Sequence, residues 1–204
     1  MRRLAGFAER LGRAQAGWAG RDPAHPWLSR RWLRQYVASK PIREPVAWDH
    51  PLAAAVWPAE VRAGLRRLWE RRDQPLAIAE ALPQTTCHLD VWPMNLIARG
   101  APGDEIVLLD WAFAGAGAVG EDVGNLIPDS VAGGWRGQDA QVRRAIAVTG
   151  AAKYCWLAPR MLQRLAGGPG FYDRRGDEQV VAGRLGMLTL VASWGRLALG
   201  EPTV

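Results

Sequence analysis

Apolar positions recur with a period near 3.6 through most of this chain, the spacing of one helix face. Leu4, Phe7, Ala8, Leu11, Ala14 and Trp18 predict an amphipathic helix over residues 3 to 19, closed by Asp22-Pro23. A second, shorter helix is expected to begin near Trp27 to Ser29 and to turn Leu28, Trp32, Leu33, Tyr36 and Val37 inward. From Lys40 to Pro51 the prolines and the loss of periodicity predict a loop. Pro58, suited to a first helical turn, opens a third helix that carries Val61, Leu65, Leu68 and Trp69 to about Arg72.

The pattern changes near residue 84. Asn95 to Arg99 and Glu105 to Leu109 read as two short strands facing each other across the turn Gly100 to Asp104. A Gly-rich loop (Gly115, Gly117, Gly120) follows, and then helices over about 122–132, 138–166 and 177–199. With no internal repeat or domain linker, residues 1–204 form one mostly helical α+β unit.

Within that frame the run from Cys87 to Asn95 reads H-x-D-x-x-x-x-N, and Asp110 closes the apolar strand fifteen residues after Asn95. Phosphoryl transfer needs a carboxylate near the attacking hydroxyl, plus an amide oxygen and a second carboxylate that hold magnesium against phosphates. Asp90, Asn95 and Asp110 fill those roles in that order. The expected hairpin would bring Asn95 and Asp110 to one end, as shared magnesium ligation requires. His88, grouped with Asp90 in the catalytic loop, is expected to brace its backbone.

Charge sharpens this picture. The formal net charge is +6, yet residues 85 to 130 hold seven acids and one base, Arg99, a local balance of −6. The basic excess lies on helical segments such as Arg62 to Arg72, where charges opposite an apolar stripe form a solvated face. An acidic centre suits a divalent cation or a cationic substrate, not a nucleic acid. No apolar run approaches the ~20 residues needed to cross a bilayer, and Glu9, Arg10 and Arg13 interrupt the start where a signal peptide would be apolar. Cys87 and Cys155 supply neither a disulfide framework nor a zinc pair. A cytoplasmic location is expected.

The segments C-H-L-D-V-W-P-M-N-L and V-L-L-D-W-A-F-A-G-A-G-A-V-G-E-D-V-G-N-L resemble the catalytic and metal-binding segments of the aminoglycoside phosphotransferase and choline kinase-like family. W-L-S-R-R-W-L at 27 to 33 extends the likeness. The resemblance implies a protein-kinase-like fold using ATP and Mg²⁺. It makes Asp90 the catalytic Asp, His88 the loop histidine, and Asn95 and Asp110 the metal ligands. Trp111 stands where protein kinases have the Phe of D-F-G, Ile97 and Leu109 underlie adenine, and Asp122 steadies the loop.

Members also carry an N-terminal lobe with a phosphate-covering loop and a lysine. The 87 residues before His88 read as helices and loop, and neither Lys40 nor Lys153 lies on a strand-like run. The resemblance is therefore to a C-terminal lobe alone, with the N-terminal lobe missing. The reaction expected is transfer from ATP to a small-molecule hydroxyl, possible acceptors including cationic ones such as an amino sugar or choline-like amine, given Glu121 and Asp122. The expectation includes impaired activity in isolation, with a non-catalytic, pseudokinase-like module as the alternative. Apolar surface left uncovered would favour a homodimer or a separately supplied N-terminal lobe.

Two rival chemistries fit less well. Gly115 to Gly120 matches G-x-G-x-x-G, and Asp139 has roughly the spacing of a ribose-binding acid, but Gln138 to Leu165 reads as helix and no second strand appears. His88-x-Asp90 could chelate a metal of a hydrolase, but His25 and His50 sit in Pro-flanked loops without ligand spacing.

Overall fold

The computed structural model describes residues 2–21, 25–100, 105–130, 140–169 and 173–201. Before the first strand come α1 (Arg2–Ala16), α2 (Trp32–Ala38), α3 (Pro51–Val56), α4 (Ala59–Glu70) and α5 (Asp73–Ala81). Four short strands follow: β1 (Gln84–Cys87), β2 (Leu96–Ala98), β3 (Ile106–Leu108) and β4 (Gly115–Ala118). The chain then returns to helices α6 (Glu121–Ser130), α7 (Ala140–Tyr154), α8 (Leu157–Leu165), α9 (Asp177–Gly183) and α10 (Leu185–Ala198).

Helix α7 is the hub. Its later residues, from Ala145 to Tyr154, are buried on every side, the pattern of a helix enclosed by its neighbours. Helices α2, α5, α6 and α10 all pack against it, and α10 also lies along α4. Small residues allow the close approach: a Cβ on Gly150 would lie 2.2 Å from Cζ3 of Trp194, so the tryptophan ring fills the space a side chain would need.

The mostly helical α+β class holds, with particular corrections. The first helix ends at Ala16, ahead of Asp22-Pro23, which lies outside the described residues. The second begins only at Trp32, after Arg31 in the left-handed region (φ 53°). Helices α3 and α5 occupy stretches with no predicted helix. The expected helix 138–166 is two helices, because Pro159 lacks an N–H and its ring opposes a helical carbonyl at Cys155. The expected helix 177–199 likewise breaks at Arg184, after Gly183.

The largest correction concerns the Gly-rich loop. It is strand β4, antiparallel to β1 with Cys87 opposite Gly115 and Gln84 opposite Ala118. Its glycines are required by close neighbours: a Cβ on Gly115 would meet the Ser29 carbonyl oxygen at 2.1 Å, and one on Gly117 would meet Leu89 Cδ2 at 2.6 Å. Glycine inside a strand commonly marks such an approach.

Candidate active site

The second sheet is the expected pairing of the two strands, the turn residues 101–104 lying outside the described residues. Leu96 pairs with Leu108, Ile97 with Val107 and Ala98 with Ile106. Backbone bonds extend it at both ends: Arg99 N–H donates to the Glu105 carbonyl (2.9 Å) and Leu109 N–H to the Asn95 carbonyl (2.9 Å). This register sets Asn95 opposite Leu109, so Asp110 follows directly beside it. Strand alternation sends Leu96, Ile106 and Leu108 against the core, leaving Ile97 and Leu109 together on the outward face. Both are exposed, at 48% and 39%. Asp110 has a positive φ of 57°, which turns the chain sharply after β3.

The loop between β1 and Asn95 is held from α6. Asp122 Oδ2 accepts the backbone N–H of His88 (2.8 Å) and Gln15 Nε2 (2.6 Å), and Asp122 Oδ1 accepts the backbone N–H of Leu89 (2.7 Å). One turn on, Asn125 Nδ2 donates to the Leu89 carbonyl (3.0 Å), while the Tyr154 hydroxyl donates to the Asn125 carbonyl (3.1 Å). Leu89 needs this clamp, since its φ of 71° is a conformation that costs a side-chain-bearing residue about 1–2 kcal/mol.

His88 ties the loop to the hairpin. Its Nδ1 accepts the Asp90 backbone N–H (3.2 Å), which leaves the ring proton on Nε2, and Nε2 donates to the Leu109 carbonyl (2.8 Å). The buried ring meets Trp111 edge-on at 4.8 Å. Both ring nitrogens are thus engaged by backbone, the arrangement of a brace between loop and hairpin. Asn95 Nδ2 donates to the backbone carbonyl of Asp90 (2.9 Å) and to its carboxylate Oδ2 (3.1 Å). Asp90 Oδ1 is left for another partner.

The oxygens present suit a hard cation. Asn95 commits its amide nitrogen to Asp90, which leaves Oδ1 as an acceptor, and Asp110 is exposed. Among the described residues no group of three or more His, Cys, Asp or Glu could hold a metal. Two protein oxygens completed by phosphate and water are the usual surroundings of magnesium in such sites.

The two acids at the start of α6 are buried. Asp122 is fully buried, and burial pushes its pKa up against the two backbone amides that favour its charge. Glu121 is 3% exposed. Gln15, Asn125 and Tyr154 were not anticipated at all, although Gln15 stands four residues after Leu11, a polar residue on the apolar stripe of α1.

A family model described as the phosphotransferase enzyme family matches residues 1–161. The chain belongs to this family. No curated protein and no solved structure matches it. The matched span takes in the braced loop, the hairpin, α6 and α7, while α9 and α10 lie beyond it. Among the described residues no helix is long and apolar enough to cross a membrane.

Proposed function

We propose that this phosphotransferase moves the γ-phosphoryl group of ATP onto a hydroxyl of a small molecule. What supports the reading is the pair of bonds from the Asn95 amide to Asp90 together with the strand register that sets Asn95 opposite Leu109, one residue before Asp110. Asp90 accepts the hydrogen bond of the attacking hydroxyl and takes its proton as the new oxygen–phosphorus bond forms and the bond to the bridging oxygen breaks. Asn95 holds Asp90 in place through its amide nitrogen. Asn95 Oδ1 and Asp110 would hold magnesium, which when bound offsets the negative charge of the phosphates. Ile97 and Leu109 offer adenine an apolar bed.

The test is transfer from radiolabelled ATP to a panel of hydroxylated small molecules, amino sugars and choline-like amines among them. Asp90→Asn is expected to lower the rate by about 10²–10⁴-fold without changing the melting temperature. Transfer at the wild-type rate by that variant would refute the assignment. A cationic acceptor draws on Asp90 and Asp110 for counter-charge, since Asp122 is committed to the loop backbone and Gln15.

The placement of the lysines favours a second reading, a binding module that keeps the motif without turnover. Lys153 Nζ lies 5.2 Å from the Trp32 ring centroid and 5.3 Å from that of Tyr36, and Lys40 Nζ lies 4.6 Å from Tyr36. Both are committed to aromatic faces. Equilibrium dialysis with magnesium-ATP separates the readings: tight binding lost in Asp110→Ala supports the catalyst, and weak binding unchanged by it supports the module.

A further inference from the structure

Asp122 and Asn125 stand three residues apart on α6, a spacing that puts both side chains on one face of a helix. That face holds the loop leading to Asp90, but the two residues hold different peptide units of it. Asp122 spends its oxygens on the N–H groups of His88 (2.8 Å) and Leu89 (2.7 Å), which belong to the units ahead of Leu89. The unit that joins Leu89 to Asp90 is held at both ends by other groups. Its carbonyl accepts Asn125 Nδ2 (3.0 Å), and its N–H donates to His88 Nδ1 (3.2 Å).

This last unit decides where Asp90 points. A flip of it, a joint rotation of ψ at Leu89 and φ at Asp90, would reverse its carbonyl and its N–H and redirect the carboxylate. Local preference does not keep the loop in this shape, since Leu89 stands at a φ of 71°, a region that side-chain-bearing residues rarely adopt. The bonds at the two ends of the unit oppose the flip. Asn125 supplies the one on the carbonyl side.

Asn125 is itself fixed in place. It is fully buried, and its backbone carbonyl accepts the Tyr154 hydroxyl of α7 (3.1 Å). A Cβ on the neighbouring Gly124 would lie 2.8 Å from Thr149 Oγ1, so α6 and α7 approach closely at this point. Asn125 Oδ1 is buried without a partner, a state that costs stability. The bond to the Leu89 carbonyl is what the amide contributes against that cost.

We propose that Asn125 is a positioning residue for phosphoryl transfer, keeping the Leu89–Asp90 peptide unit in the orientation that presents the Asp90 carboxylate to the acceptor hydroxyl. The inference rests on the reading of Asp90 as the group that takes the hydroxyl proton. Asp122 shapes the approach to the loop, and Asn125 sets the last peptide before the carboxylate.

Asn125→Leu tests this, because leucine has a similar size and removes the donor and the orphan oxygen together, which limits the effect on stability. Residue-resolved amide exchange by NMR reads the peptide unit without any turnover. The Asp90 N–H is expected to exchange about tenfold faster or more in the variant, while those of His88 and Leu89, held by Asp122, stay unchanged. In transfer assays kcat should fall by about tenfold to a hundredfold, with KM for ATP and the melting temperature unchanged. If Asn125→Leu lacks a native melting transition, Asn125→Ala takes its place. Unchanged exchange at Asp90, or an equal rise at all three amides, overturns the proposal, as does a wild-type kcat in the folded variant. Absence of transfer by the wild type would instead defeat the reading of Asp90, and exchange would still decide whether Asn125 holds the unit.

Discussion

Glu121 and Asp122 are adjacent carboxyls at the start of α6 with different surroundings. Asp122 has two backbone amides and Gln15 to support its charge, whereas Glu121 has one amide and an orphan oxygen. Glu121 therefore makes stability depend on pH in a definite direction. Its carboxyl titrates near the ordinary 4.5 when unfolded and near about 7 when folded. Below 4.5 both states are protonated and its contribution is fully present. Between these values the unfolded chain ionises first, so stability falls as pH rises, and the loss is complete above the folded value. The size is roughly 3 kcal/mol. Urea titrations at pH 5 and pH 8 should show the wild type losing about that much relative to Glu121→Gln. Parallel pH curves for the two proteins would rule the assignment out.

The residues proposed for the chemistry are readable in the chain because their order alone suggests it. Asp90, Asn95 and Asp110 declare oxygen donors at a spacing only a hairpin can close. Their supports were harder to read. Gln15 meets Asp122, and Asn125 meets Leu89, across long stretches of sequence, and one residue at a time nothing in the order of letters links them. Gln15 alone left a trace, a polar side chain where the helix period calls for an apolar one.

Among the elements, periodicity marked α1 and α4 because each has one wet face and one dry face. It could not resolve α7 from α8, since a helix buried all round has no polar stripe to show where it stops, and only Pro159 signals the break. Strand β4 escaped for the opposite reason: Gly115, Ala116, Gly117 and Ala118 offer no large apolar side chains to alternate. The same tight packing makes a prediction. Gly150→Ala would drive a Cβ into the Trp194 ring, so α7 and α10 must separate, at about 1–3 kcal/mol and with a lower melting temperature. Gly176→Ala, with nothing within 4 Å of the added carbon, should melt like the wild type. Equal melting of all three proteins would show that the α7–α10 contact is looser than described.

For the whole molecule, the exposed apolar residues collect around the hairpin and its flanking turns. Met94 is 73% exposed and Trp111 53%, with Trp92, Ile97, Leu109 and Phe113 also in contact with solvent. Surface of this kind favours association. Light scattering should show mass rising with concentration, and Met94→Lys/Ile97→Lys should suppress the rise. A monodisperse monomer throughout would exclude self-association through this face.

The aromatic setting of the lysines has a practical outcome. The chain contains two of them, and Lys153 is 4% exposed beneath Trp32, Tyr36 and Tyr154. An amine-directed acylating reagent applied to the native protein should mark Lys40 and spare Lys153. Modification at Lys153, located by mass spectrometry of the digested chain, then becomes a clock for opening of the core around α7, set by the protein itself without any introduced probe.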